Sequence, residues 1–99
     1  MKNLLTLKDL TEAEVLDLIE FANTIKKNPE KYTRKLFGKI IILLFQKTST
    51  RTRISFESGM HQLGGNAIYI DWRTTNIRLG SLADEIKCMA LYSDAIMAR

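Results

Sequence analysis

Six consecutive apolar residues, Ile40–Phe45, run without a break into Gln46-Lys47-Thr48-Ser49-Thr50-Arg51-Thr52-Arg53, and the period of hydrophobicity changes at that junction. A short, unbroken apolar run rich in β-branched residues suits a strand buried on both faces. Beyond it, Ile54, Phe56, Met60 and Leu63 recur at helical spacing. Strand, turn, helix is therefore expected, with Ser49 or Thr50 as N-cap. A helix start carries partial positive charge and unpaired N–H groups, so its first turn favours Asp or Glu. Here Lys47, Arg51 and Arg53 crowd that end beside the hydroxyls of Thr48, Ser49 and Thr50, and no acid comes before Glu57. Two readings are open. An anion seated in the turn would relieve the repulsion and draw N–H, hydroxyl and guanidinium donors together. A solvated helix start would need only a hydroxyl cap and an ordinary Arg53–Glu57 pair at i,i+4, which leaves the other cations and hydroxyls unexplained.

The rest of the chain alternates in the same way. Thr11-Glu12-Ala13-Glu14 is a capping-box start, and Val15, Leu18, Ile19, Ala22 and Ile25 give the following helix an apolar face. Lys26-Lys27-Asn28-Pro29 ends it. Residues 30–38 read as a connection, 40–45 as the first strand, and about 50–63 as a helix closed by Gly64-Gly65. Ala67-Ile68-Tyr69-Ile70 is a second strand, followed by a polar loop over 71–80. A third helix runs from about Ser81 to Tyr92 with Asp84 and Glu85 in its first turn, as the helix dipole favours. Ala95-Ile96-Met97-Ala98-Arg99 reads as a third strand. Strands alternating with helices imply right-handed crossovers and a parallel sheet with flanking helices, an α/β fold. Ligands of such sheets bind outside the carboxyl ends of the strands. The 46–53 turn, the 71–80 loop and Arg99 all fall there. A third strand with no covering helix after it leads us to expect that the chain is the N-terminal part of a longer protein.

Length and composition set outer bounds. A chain of 99 residues suits one small domain with a modest core. Hydrophobic content of 45% and charged content of 26% are those of an ordinary globular protein. The net charge of +4 is not gathered into one basic run interleaved with aromatics, so no nucleic-acid partner is expected, and a phosphate-bearing small molecule fits better. No apolar run approaches membrane-spanning length and no signal peptide is evident, so a cytoplasmic location without a membrane partner is expected. The single cysteine, Cys88, reads as a small core residue of a reduced protein, and one His with one Cys makes a zinc site within the chain improbable. His61 falls well along the second helix from the turn and reads as structural, Trp72 as packing beneath the loop.

Ser49-Thr50-Arg51-Thr52-Arg53 followed by Ser55-Phe56-Glu57 resembles the carbamoyl phosphate signature of the aspartate and ornithine carbamoyltransferase family. The resemblance extends over the chain. Leu4-Leu5-Thr6-Leu7-Lys8-Asp9-Leu10, Leu63-Gly64-Gly65-Asn66-Ala67 and Gly80-Ser81-Leu82-Ala83-Asp84 are similar to family blocks, and Phe45-Gln46-Lys47-Thr48 looks more like the ornithine branch. The resemblance implies a Rossmann-like carbamoyl phosphate domain, of which residues 1–99 are a part without the acceptor-binding domain. It implies that Ser49, Thr50, Arg51 and Thr52 bind the phosphate, that Arg51 stabilises the leaving group, and that Arg99 joins Thr52 at the carbamoyl oxygen. Arg51 and Arg99 are thus the implied catalytic residues. In the family the 71–80 loop enters a neighbouring subunit's site, in a homotrimer or a multiple of trimers, and Thr75, Asn76 or Arg78 are the candidates for that here; a solvated loop with two exposed arginines is the other open reading.

The implied activity is transfer of the carbamoyl group of carbamoyl phosphate to an amino-acid amine, with ornithine giving citrulline as the first reading, within arginine metabolism. No metal or organic cofactor is required. Aspartate or another amine is the alternative acceptor. A non-catalytic phosphate-binding or assembly domain is the alternative of another class. The loop from Asp71 to Arg78 departs from the common forms of the family, and the motifs that would select the acceptor are not in this sequence.

Overall fold

The computed structural model describes residues 3–74 and 81–99. The chain divides into two compact units, one up to Lys31 and one from Tyr32 onward.

The first unit holds a 3-10 turn, Leu7–Asp9, and helix α1, Glu12–Lys27. The hydroxyl of Thr11 accepts from the Glu14 N–H at 3.1 Å while the Glu14 carboxylate accepts from the Thr11 N–H at 3.0 Å, completing the capping box. Of the expected apolar face, Val15 and Ile25 are half-buried while Leu18, Ile19 and Ala22 remain exposed. One helix and a short turn offer too little surface to enclose an apolar stripe, which needs a second packed element.

A 3-10 turn, Pro29–Tyr32, spans the division, and the second unit carries the sheet. Its elements are β1 (Ile40–Phe45), α2 (Thr50–Gln62), β2 (Asn66–Asp71), a 3-10 turn (Trp72–Thr74), α3 (Leu82–Tyr92) and β3 (Ala95–Ala98). The strands are parallel in the order β2-β1-β3, so the most apolar strand is central. Leu43 faces Tyr69 and Met97; Leu44 faces Ile70 and Ala98. Alternate residues of β1 serve opposite faces. Ile42 and Leu44 pack with Met89 of α3 and with Ile70, Trp72, Ile86 and Ile96. Leu43 and Phe45, both at most 1% exposed, point to the α2 side. Helices on both faces explain why every residue of Ile40–Phe45 is apolar.

Cys88 is exposed, contrary to the core position expected of it. Successive helix residues lie about 100° apart, and it is Met89 that turns inward. Asp84 and Glu85 do sit in the first turn of α3, whose N-cap Ser81 accepts from the Asp84 N–H at 3.4 Å.

The Gly64-Gly65 pair does more than end α2. Gly64, at φ 89°, donates to the His61 carbonyl, and Gly65 donates to the Met60 carbonyl at 2.8 Å, which together form a Schellman motif. The segment before β1 lies directly on this turn. A Cβ at Gly64 would meet the Thr33 carbonyl oxygen at 2.5 Å, and one at Gly65 would meet the Lys39 carbonyl at 3.0 Å. Leu36 donates to the Leu63 carbonyl at 2.7 Å across the same contact. Gly64→Ala therefore combines a disfavoured positive φ with a clash against backbone. We expect it to lower stability by about 2 kcal/mol or more, read as a shift of the urea unfolding midpoint. A midpoint unchanged from the parent would mean that the 33–36 segment yields without strain.

Candidate functional site

Helix α2 starts where β1 leaves the sheet. Ser49 is its N-cap by backbone position, with φ −155° and ψ 95°, yet its side chain makes no cap hydrogen bond. The Ser49 hydroxyl donates instead to Thr52 Oγ1 at 2.9 Å. The first intrahelical bond runs from the Arg53 N–H to the Ser49 carbonyl at 3.0 Å. The N–H groups of Thr50, Arg51 and Thr52 accordingly have no protein partner among the described residues, and the first turn holds no acid. Compare α1 and α3, which both place a cap hydroxyl and acids at that end.

The third strand delivers a guanidinium to the same turn. The Arg99 N–H donates to the Leu44 carbonyl at 2.9 Å, and the Arg99 carbonyl accepts from Gln46 at 2.6 Å, so the ladder between β1 and β3 continues to the end of the chain. From there Arg99 Nη1 donates to Thr52 Oγ1 at 2.8 Å. Thr52 Oγ1 thus accepts from both Ser49 and Arg99, which leaves its own proton to be donated outward. Beside Arg99 lies a cavity of about 210 Å³ lined by Leu44, Gln46, Trp72, Ala98 and Arg99. A larger groove, about 500 Å³, belongs to the first unit and is lined by Leu4, Leu10 and Phe21 with the carboxylates of Asp9, Glu14 and Asp17, which repel a phosphate.

The cations of the turn divide. Lys47 and Arg51 are exposed, and neither meets a carboxylate among the described residues. Arg53 behaves differently. Its Nε meets Glu57 Oε1 at 2.5 Å, and its guanidinium carbon lies 3.7 Å from the centre of the Tyr69 ring. The structural reading of an i,i+4 pair is right for Arg53, which is not part of the convergence that Arg51 and Arg99 leave open. The π contact with Tyr69 had no signal in the sequence, because it depends on how β2 pairs.

At the end of β2, Asp71 accepts from the N–H, Nε and Nη2 of Arg73 at 2.9, 3.1 and 2.8 Å. The side-chain bond to Arg73, helped by the backbone bond, lowers the Asp71 carboxyl to a pKa of about 2. This clasp, readable only as an Asp-x-Arg spacing, fixes the first residues of the loop. Thr75, Asn76 and Arg78 lie outside the described residues. Trp72 packs against the core cluster and also walls the small cavity. His61 is exposed in the last turn of α2. Among the described residues no group of three or more His, Cys, Asp or Glu could hold a metal ion.

An open parallel sheet, helices on both faces and an uncapped helix start at the carboxyl edge define an α/β domain of the Rossmann-like class. The chain belongs to the aspartate/ornithine carbamoyltransferase family, whose carbamoyl-P binding domain matches residues 2–99. Among relatives, the ornithine carbamoyltransferase of Shewanella oneidensis is 44% identical over 102 residues, covering 100% of this chain and 33% of that protein. The ornithine carbamoyltransferase of Pyrococcus furiosus superposes with a TM-score of 0.87 at 42% identity over 99% of this chain and 32% of its own. The catalytic subunit of M. jannaschii aspartate transcarbamoylase gives the same TM-score, 0.87, at 34% identity over 100% of this chain and 34% of its own. The chain spans about a third of the length of the relatives it matches.

Proposed function

We propose that the protein carrying this chain transfers the carbamoyl group of carbamoyl phosphate to ornithine, and that residues 1–99 form part of the domain that binds carbamoyl phosphate. The observation that carries the reading is the 2.8 Å bond from Arg99 to Thr52 beside a helix start whose N–H groups are unclaimed. In this reading the phosphate is held by the Thr50–Thr52 N–H groups, the Ser49 and Thr52 hydroxyls and the Arg51 guanidinium. Arg99 and the outward-facing Thr52 proton then meet the carbamoyl oxygen.

The uncharged amine of the acceptor attacks the carbamoyl carbon. A C–N bond forms, the C–O bond to phosphate breaks, and phosphate leaves with the bonding pair. The proton lost by the amine passes to the departing phosphate or to water. Charge grows on the carbamoyl oxygen as the tetrahedral species forms and on the bridging oxygen as it collapses. Arg99 and Arg51 respectively stand where those charges develop.

Ornithine is favoured over aspartate by the names of the curated relatives at 44–46% identity. The equal superposition on aspartate transcarbamoylase keeps aspartate as the second acceptor. A homotrimer or multiple of trimers, with the 75–78 loop of one subunit entering the next, and a cytoplasmic role in arginine metabolism complete the reading. No helix among the described residues is long and apolar enough to cross a membrane.

The test is a citrulline assay on the intact protein with carbamoyl phosphate and ornithine, and with aspartate and N-acetylornithine as competing acceptors. Ornithine should be carbamoylated fastest. The 99-residue chain alone should bind phosphate weakly and form no product, because in this reading it supplies only part of the domain that binds carbamoyl phosphate. Absence of transfer to any amine by the intact protein would leave a phosphate-binding module as the better reading.

A further inference from the structure

Arg53 is the cation of the turn whose guanidinium is already engaged, by the Glu57 carboxylate and by the Tyr69 ring. Phe45, 1% exposed, is the last residue of β1 and the one from which the 46–49 turn departs. Its ring lies 5.3 Å from that of Tyr69 at 60°, a tilted aromatic contact. The Tyr69 ring also carries the Arg53 guanidinium, 3.7 Å from its centre, which is itself held by Glu57 at 2.5 Å. Phe45, Tyr69, Arg53 and Glu57 therefore form a brace from the residue entering the turn to the first turn of the helix leaving it. Both ends of the anion turn are clamped to β2.

We propose that Arg53 is a positioning residue for the anion site: stacked on Tyr69, it sets the direction in which the unpaired N–H groups of Thr50–Thr52 and the Thr52 hydroxyl point, without touching the anion. The assignment rests on the carbamoyl phosphate reading above. The Arg53 side chain is 45% exposed, so the stack is a modest contact energetically. Its effect comes through direction, since hydrogen bonds to an anion weaken steeply as donors turn away.

The experiment uses Arg53→Lys, Tyr69→Leu and the double variant in the intact protein, with carbamoyl phosphate as the probe. Lys keeps the charge and the reach to Glu57 but has no planar group to lie on the ring. Each single change should raise the Kd for carbamoyl phosphate by roughly 3- to 10-fold, and the double change by no more than roughly the larger single effect, since both break one contact. The KM for the amine should stay as it was. The slope of log Kd against log salt should also stay, because no cation that touches the anion is lost. Should Tyr69→Leu fail to fold, Arg53→Lys decides alone.

A normal Kd in folded Arg53→Lys would overturn the assignment and leave Arg53 with a stability role only. So would a reduced salt slope in Arg53→Met, which would make it a direct ligand. Failure of the unaltered protein to bind carbamoyl phosphate would instead overturn the function proposed above, and this assignment with it.

Discussion

Replacing Arg51 by alanine in the intact protein should lower turnover by roughly two orders of magnitude or more while weakening carbamoyl phosphate binding far less. Arg51 is exposed and pairs with no carboxylate among the described residues, so its removal leaves no buried partner stranded. Any loss then reports what the guanidinium does for a bound anion. In the proposed reaction charge increases on the phosphate as the C–O bond breaks, so a contact from Arg51 would strengthen between ground state and transition state and its loss would fall on kcat. Lysine should rescue poorly, since an ammonium cannot make the planar two-pronged contact. Steady-state citrulline formation over a range of carbamoyl phosphate concentrations separates the two parameters. Near-normal turnover would mark Arg51 as a solvated helix-start residue.

Arg99→Met should cost roughly a hundredfold in kcat, the size expected on losing one donor to a developing oxyanion. The change keeps the stem and the backbone bonds to Leu44 and Gln46, so the unfolding midpoint should hold. It removes the donor that Thr52 accepts, freeing the hydroxyl to turn. The loss in kcat with an intact fold is the diagnostic pair, measured by citrulline assay and thermal melt. A fall in both would place Arg99 in the structure of the sheet edge; a fall in neither would place it outside the reaction.

Much of the architecture was legible because it depends on local interactions. The unbroken apolar run Ile40–Phe45 announces a strand covered on both faces, and α2 and α3 do cover it. Thr11 with Glu14, and Ser81 with Asp84, are caps whose partners lie within one turn. The parallel order followed from alternation, and the parallel order brought Arg99 to the 49–52 turn. Less was legible about burial. The periodicity of α1 marks an apolar face but not what covers it, and Leu18 and Ile19 stand exposed. Cys88 and Met89 are equally plausible inward residues by type; only the rotation of α3 on the sheet selects Met89.

By itself, then, the sequence determined the elements, their order and the family, and it singled out the turn before α2 as the one leading into a helix whose first turn lacks an acid. Each of these is written in spacing, capping chemistry or motif, which neighbours in the chain enforce. The division of labour among the cations was a tertiary decision. Arg51 and Arg53 stand two positions apart in one motif, and nothing local separates them. Pairing of β2 with β1 in the register Leu43 to Tyr69 brings the Tyr69 ring beneath the first turn of α2, where the Arg53 guanidinium stacks on it and Arg51 does not. In the same way the close approach of Thr33 to Gly64, and the 2.8 Å meeting of Arg99 with Thr52, exist only once segments distant in sequence are packed together. Contacts of this kind depend on distances that no spacing along the chain encodes.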